Sequence, residues 1–139
     1  MYCTQADLIN RFGEWELVGL TNPGGDTINT AALDQAMADA GAEIEAYLGG
    51  RYALPLNPVP KVLNRIACNL ARYYLYDNAV PDTVEKTYQD SLRFLKDVAK
   101  GLVKLGIAAD GSQPNAAESS AKMTSTQPVW NRTKSGGFI

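Results

Sequence analysis

Acidic residues are the side chains whose spacing could support chemistry in this chain. Asp39 and Glu43 are four positions apart, so a helix would carry both carboxylates on one face, where such a pair could share acid–base work. Both positions flank an apolar stripe, and we therefore expect both carboxylates to face solvent. The chain has no histidine, which removes the usual general base, the commonest metal ligand and the ordinary pH switch. These features favour a protein that is not an enzyme.

Motifs that bind nucleotides or hydrolyse substrates are absent from the sequence. It contains no phosphate-binding loop, no dinucleotide-binding glycine motif, no serine-hydrolase elbow and no zinc-protease motif. We therefore expect no cofactor and no bound metal. Cys3 and Cys68 are far apart and form no metal-binding or redox pair motif, so we expect buried free thiols, with a disulfide as the alternative.

Targeting signals and membrane spans are not predicted either. No apolar run reaches the length of a membrane-spanning helix, and the first residues lack the basic-then-apolar pattern of a signal peptide. A cytosolic setting without membrane contact is the default expectation.

Charge is nearly balanced over the chain, at −2, but it is unevenly distributed. The basic set along one segment is Lys61, Arg65 and Arg72, and the acidic set along another is Asp34, Asp39, Glu43 and Glu45. Solvated helix faces are the plain interpretation. Charge pairing between subunits or with a partner surface is the alternative.

Helical periodicity predicts an all-α fold, a small bundle of four to five helices. Thr4 and Asp7 resemble a capping box at the start of the first helix, and Gly13 ends it. A short second helix covers roughly residues 14–20. Asn29 or Thr30 is expected to cap a third helix, whose C-terminal cap we place at Gly49 in the left-handed conformation. Its apolar stripe is Leu33, Met37, Ala40, Ile44, Tyr47 and Leu48.

Two further helices complete the bundle. Pro60 fits the first turn of the fourth, which has the broadest apolar stripe and is expected to be the central core helix. Its tyrosines Tyr73, Tyr74 and Tyr76 are expected to pack at the boundary of the core. Asp82 or Thr83 is expected to cap the fifth helix, which we extend through Leu102 to Gly106.

A proline-rich elbow, residues 49–60, joins the third and fourth helices. Tyr52, Leu54 and Leu56 alternate with other residues, which predicts an extended segment with three apolar anchors on one side. Arg51 is expected to cap carbonyls at the end of the preceding helix, or to reach a neighbouring subunit.

The amino-acid composition of the chain changes after the predicted helices. Residues 107–127 are dominated by small and polar side chains, and an apolar and basic tip follows. We interpret residues 1–106 as one helical domain and residues 107–139 as an extended C-terminal docking arm, with packing against its own domain as the alternative.

Several short motifs together resemble a known family. They are Thr4 with Asp7-Leu8, Gly13-Glu14-Trp15-Glu16-Leu17, Ala46-Tyr47-Leu48, Gly50-Arg51-Tyr52-Ala53-Leu54-Pro55-Leu56, and Ala71-Arg72-Tyr73-Tyr74-Leu75-Tyr76. In this order they resemble the Mu-like phage and prophage head–tail connector (neck adaptor) proteins, over roughly residues 1–106.

The resemblance implies a structural protein of the virion, made in the bacterial host cytoplasm. It implies a homo-oligomeric, dodecameric ring at the head–tail joint, between the portal protein and a tail-side neck or terminator protein. Genomic DNA would pass through the ring without sequence readout, which suits a near-neutral wall. On this interpretation the interface residues for neighbouring subunits or the portal are Arg51, Tyr52, Val129, Trp130, Arg132, Phe138 and Ile139.

Two other classes of function stay open on sequence grounds. The first is a nucleic-acid-binding helical module for packaging or regulation, which would use the basic face from Lys61 to Arg72. The second is an all-helical enzyme, which would need a buried acid–base pair.

Overall fold

The computed structural model describes residues 1–56 and 58–107 of the chain. Within that part the fold is helical, with five helices and no strand, which confirms the predicted all-α class. The helices are α1 (Gln5–Phe12), α2 (Glu14–Thr21), α3 (Thr30–Leu48), α4 (Lys61–Leu75) and α5 (Asp82–Ala99). No helix among the described residues combines the length and apolar character needed to cross a bilayer.

The two short N-terminal helices share one glycine. Thr4 and Asp7 form the predicted capping box: the Thr4 hydroxyl accepts from the Asp7 amide at 3.2 Å, and the Asp7 carboxylate accepts from the Thr4 amide at 2.9 Å. Gly13, at φ +91°, ends α1 and precedes the first residue of α2. A left-handed glycine there turns the chain at once, so α1 and α2 pack against each other.

Helices α3, α4 and α5 build the core. The Asn29 side chain caps α3 as predicted, accepting from the Ala32 amide at 3.3 Å. The predicted stripes are largely buried along α3 and α4, with Tyr47 half-buried. The α4 helix packs on α1, α3 and α5, and α3 packs on α2, α4 and α5, so these two helices form the centre of the bundle. The core residues of these three helices include Leu33, Met37, Ala40, Ile44, Leu48, Leu63, Ile66, Ala67, Leu70, Ala71, Leu95 and Val98.

Helices α4 and α5 run antiparallel. The Tyr73 ring stacks on Tyr88, with centroids 3.7 Å apart and planes 8° from parallel. One turn closer to the N-terminus of α4, Asn69 Nδ2 donates to Ser91 Oγ at 3.5 Å. The N-terminal end of α4 is therefore level with the C-terminal end of α5. The tyrosine cluster packs at the edge of the core, as expected.

The end of α5 differs from the prediction. The helix was predicted to extend to Gly106, but it ends at Ala99, and Gly101, at φ +83°, is left-handed just after it. The Gly101 amide donates to Val98 O at 3.0 Å and the Leu102 amide to Asp97 O at 2.9 Å, which is a Schellman motif. Leu102 therefore leaves the predicted stripe and is 73% exposed.

Three other helix ends also need correction. Gly49 is right-handed, with φ −59° and ψ −21°, so the predicted left-handed cap is wrong. Pro60 and Pro81 occupy the N-cap positions of α4 and α5, which places Asp82 inside α5 as its first residue. Proline suits these sites because a helix start has no partner for the amide that proline lacks.

The elbow is folded in turns instead of extended. The amides of Arg51 and Tyr52 both donate to Leu48 O, at 2.9 Å and 3.0 Å, so the chain turns back directly after α3. Alternation then no longer applies: Leu56 is buried, Tyr52 is half-buried and Leu54 is exposed. Of the three predicted apolar anchors, only Tyr52 and Leu56 are shielded from solvent.

Candidate assembly interface

Arg51 holds the elbow against the end of α5. Its Nε donates to the carbonyl oxygen of Ala99 at 2.9 Å, and its guanidinium fills the space in which a Cβ on Gly101 would lie. The sequence predicted a carbonyl cap at the preceding helix, but the capped helix is α5, which begins 31 positions after Arg51. A cation at a helix C-terminus also interacts favourably with the helix dipole.

Tyr52 provides a second link to the same segment. The Leu105 amide donates to the Tyr52 hydroxyl at 3.4 Å, and the Tyr52 ring packs on the core. Arg51 and Tyr52, the two predicted interface residues in the described part of the chain, therefore hold the segment of residues 100–107 against the elbow. They also line a cavity of about 290 Å³ together with Lys104 and Ile107. We name this cavity the elbow cavity.

The remaining predicted interface residues are Val129, Trp130, Arg132, Phe138 and Ile139. They lie outside the described residues, as does nearly all of the predicted docking arm.

Trp15 is the most exposed large apolar side chain in the described part of the chain, at 85%. It lies on α2, where Leu17, two positions later and on the opposite side of the helix, is fully buried. One turn further, no atom of the described part of the chain lies within 4 Å of where a Cβ on Gly19 would be, so its surface beside the indole is open. Sequence reasoning missed this exposure. The sequence did contain a signal for this exposure, because an eight-residue helix with apolar residues on every side cannot bury all of them.

The basic set of α4 separates into paired and unpaired residues. Arg72 makes a two-point ion pair with Glu16 of α2, and its guanidinium lies 4.5 Å from the centre of the Phe12 ring. Lys61 and Arg65 are exposed and take part in none of the ion pairs found among residues 1–56 and 58–107. The continuous basic face predicted from the sequence is thus reduced to two neighbouring side chains.

The two carboxylates Asp39 and Glu43 on α3 accept hydrogen bonds from different partners. Asp39 is exposed and accepts from Gln35 Nε2 at 2.9 Å. Glu43 is half-buried and accepts from the Tyr74 hydroxyl at 2.9 Å. This differs from the prediction that its carboxylate faces solvent. Burial and the Glu43 carboxylate together raise the pKa of Tyr74 above its usual range.

A polar network ties the N-terminus to α4. Asn64 Nδ2 donates to the Tyr2 carbonyl at 3.0 Å and to the Asp7 carboxylate at 2.9 Å. The Asn64 bond holds the pKa of Asp7 below its usual value. On the other side, the Tyr2 hydroxyl donates to Glu45 at 3.2 Å, and burial followed by the Glu45 charge raises the pKa of Tyr2 to about 12.

The two cysteines are buried free thiols, as predicted. Interaction with the neighbouring Cys68 thiol, followed by burial, raises the pKa of Cys3 far above its usual range. Among residues 1–56 and 58–107, no group of three or more cysteine and carboxylate side chains is arranged to hold a metal ion.

Comparison with known proteins assigns the chain to a family. The family described as "Bacteriophage Mu, Gp36" matches residues 2–124. A Haemophilus influenzae protein named "Mu-like prophage FluMu protein gp36" is 39% identical over 140 aligned positions that cover 100% of this chain and 99% of that protein. "Gene product J" of Escherichia phage Mu is 34% identical over 99% of each chain. The chain belongs to the bacteriophage Mu Gp36 family of Mu-like phage proteins.

Proposed function

We propose that this chain is a structural protein of the phage virion, a head–tail connector that forms a ring at the neck. The ring stands between the portal protein and a tail-side neck or terminator protein, and the genome passes through it. The proposal assigns no reaction and no cofactor to the chain.

The observation that carries the proposal is the exposure of Trp15 and Leu102. Their side chains are 85% and 73% exposed, although the bundle buries comparable residues almost completely. Tryptophan is strongly enriched among the residues that dominate protein–protein binding, because it buries a large apolar area with few rotatable bonds. An adaptor that contacts copies of itself and two other proteins needs such side chains at more than one place on its surface.

Family membership supports the phage setting. Both relatives are phage or prophage proteins of nearly the same length, which suits a small component that acts as a whole. The net charge of −2 suits a channel wall, since a strongly basic lining would retain the passing DNA backbone. A dodecameric ring remains part of the proposal.

The experiment that tests the proposal is deletion of this gene from its phage, followed by electron microscopy of lysates. We expect DNA-filled heads and detached tails, with joined virions restored when the intact gene is supplied on a plasmid. Intact virions in normal yield without the gene would contradict the connector role.

A truncated gene ending after residue 107 tests the docking arm in the same assay. We expect a folded helical protein that fails to enter particles, because residues 108–139 include Val129, Trp130, Arg132, Phe138 and Ile139, which are proposed to contact neighbours. Normal incorporation of the truncated protein would refute the arm.

A second candidate is a nucleic-acid-binding module for packaging or regulation. The exposed pair Lys61 and Arg65, one turn apart on α4, favours it. Duplex binding that weakens steeply with salt and is lost in the Lys61→Glu/Arg65→Glu chain would support this candidate. Binding that is absent at low salt would eliminate it.

A further inference from the structure

The exposed Trp15 side chain and the elbow cavity lie at opposite ends of the helical bundle. Helix α2, which carries Trp15, is fixed to the C-terminal end of α4 by the ion pair between Glu16 and Arg72. The elbow cavity lies at the end of α5, where Arg51 bonds to Ala99. Because α4 and α5 are antiparallel, the end of α5 is level with the start of α4, the end remote from Arg72.

The surface around Trp15 is apolar at its centre and acidic at its edge. Exposed Glu14 precedes the indole, and the open surface at Gly19 leaves room for a partner to approach the ring. We name these three residues the Trp15 patch. Its chemistry calls for a partner with a recess that accepts an aromatic ring and with cations at the rim.

The elbow cavity has that chemistry. Tyr52 and Ile107 contribute apolar surface to its lining, and Arg51 and Lys104 contribute two cationic side chains. Lys and Arg interact favourably with the face of an indole, more strongly than with other aromatic rings. Lys104 is exposed and takes part in none of the ion pairs among residues 1–56 and 58–107, so its charge is available to an incoming carboxylate.

We propose that Trp15 of one copy inserts into the elbow cavity of the next copy, with Glu14 facing Lys104. The inference rests on the proposed function, which supplies the ring, and it names the contact that builds it. The two surfaces differ and lie at opposite ends of one chain, so the contact is heterologous. Such contacts repeat head to tail and close into a ring when the rotation between copies allows it.

Crosslinking tests which surfaces meet. The full-length chain with Glu14→Cys and Lys104→Cys is incorporated into phage particles and treated with a short bismaleimide. We expect a ladder of dimers, trimers and larger products on a denaturing gel from the double variant, and monomer alone from each single variant. The native thiols Cys3 and Cys68 are buried and do not contribute.

The control is the full-length chain with Asp34→Cys and Lys61→Cys, which joins the acidic segment and the basic segment. Here we expect monomer. A ladder from this control with none from the Glu14/Lys104 pair would overturn the inference in favour of the charged helix faces. A dimer from either single variant of the first pair would overturn it as well, because a two-fold contact brings identical residues together.

Shortened tryptophan side chains test the energetic role of the patch. In Trp15→Ala we expect self-association of the full-length chain, followed by sedimentation, to weaken by about thirtyfold, as at a binding hot spot. Trp130→Ala, which removes the other tryptophan of the chain, should retain the Glu14–Lys104 crosslink. Loss of that crosslink in Trp130→Ala with retention in Trp15→Ala would mean that the tail occupies the cavity, and the inference would be wrong.

The failure of this inference can be told apart from failure of the connector role. If particles contain the protein but the Glu14/Lys104 pair gives no ladder, the contact is wrong while the connector role stands. If particles lack the protein, the connector role is wrong. The contact is then decided on the purified full-length chain at high concentration, where a ladder supports it and monomer alone refutes it.

Discussion

Arg72 donates from Nε and Nη2 to the two carboxylate oxygens of Glu16, at 2.6 Å and 2.9 Å. The same guanidinium lies over the Phe12 ring, so one side chain of α4 contacts both N-terminal helices. Eight-residue helices are marginal on their own in water, and α2 depends on such tertiary contacts for its position. Since Trp15 neighbours Glu16, this ion pair also fixes the direction of the exposed indole.

We predict that Arg72→Lys lowers the free energy of unfolding by about 1–2 kcal/mol. Lysine keeps the charge but cannot form the two parallel bonds or the planar contact with Phe12, and the pair is three-quarters shielded from solvent. Urea denaturation followed by circular dichroism measures the change. The matched control is Lys86→Gln, which removes the exposed Lys86–Asp90 pair and should cost less than about 0.5 kcal/mol. Equal losses in both variants would contradict the role of the Arg72 pair.

We predict that Gly101→Ala destabilises the chain more than Gly106→Ala does. Both glycines have positive φ, +83° and +78°, a conformation that is unfavourable for alanine. The substitution should therefore lower the free energy of unfolding by about 1–2 kcal/mol at either position. At Gly101 the added methyl also meets the Arg51 guanidinium, whereas no atom of residues 1–56 or 58–107 lies within 4 Å of a methyl added at Gly106. Displacing Arg51 from Ala99 should add about 1 kcal/mol, the usual value of one hydrogen bond.

A double variant shows whether that extra cost arises from Arg51. In the Arg51→Ala background, Gly101→Ala and Gly106→Ala should have similar effects on the urea midpoint, because the crowding side chain is gone. If the difference between the two glycines persisted in that background, the assigned contact with Arg51 would be wrong.

We predict that Asp7 contributes to stability at neutral pH and loses this contribution in acid. The Asn64 hydrogen bond, with further bonds from Thr4, lowers the pKa of Asp7 in the folded state. A carboxyl whose folded pKa is depressed stabilises the fold above its unfolded pKa of about 3.9, and the contribution disappears as pH falls through the folded pKa. The gap in unfolding free energy between wild type and Asp7→Asn should therefore narrow from about pH 6 to about pH 3. A gap independent of pH would contradict this assignment.

Local signals in the sequence identified much of the fold. The Thr4–Asp7 box, the Asn29 cap and the buried stripes of α3 and α4 depend on residues a few positions apart, whose geometry follows from the helix itself. The end of α5 was misplaced because Leu102 and Leu105 continue the apolar period past Gly101. Both Gly101 and Gly106 have positive φ, and the capping hydrogen bonds form at Gly101 and Leu102, before the apolar period stops.

The candidate interface was harder to predict from the sequence, because its contacts join residues that are far apart in the chain. Arg51 was singled out, but its partner Ala99 is 48 positions away and depends on how α3 and α5 meet. The exposure of Trp15 was missed, because hydrophobicity alone does not tell which side of a short helix is covered. The family motifs located the elbow without predicting that it turns back on itself.

We predict that neither native thiol reacts with iodoacetamide at about pH 8, whereas both react after unfolding in urea. Cys3 and Cys68 are 2% and 0% exposed, so the reagent cannot reach either sulfur in the folded chain. Interaction with Cys68 and burial also raise the pKa of Cys3, and only the thiolate is nucleophilic. Intact-mass spectrometry counts the adducts: none in the native chain and two in the unfolded one. The Glu14→Cys variant is the matched control and should gain one adduct while folded, because that position is exposed. Rapid modification of the native wild type would show that the region between α1 and α4 opens, and that the polar network of Asn64 does not seal these thiols.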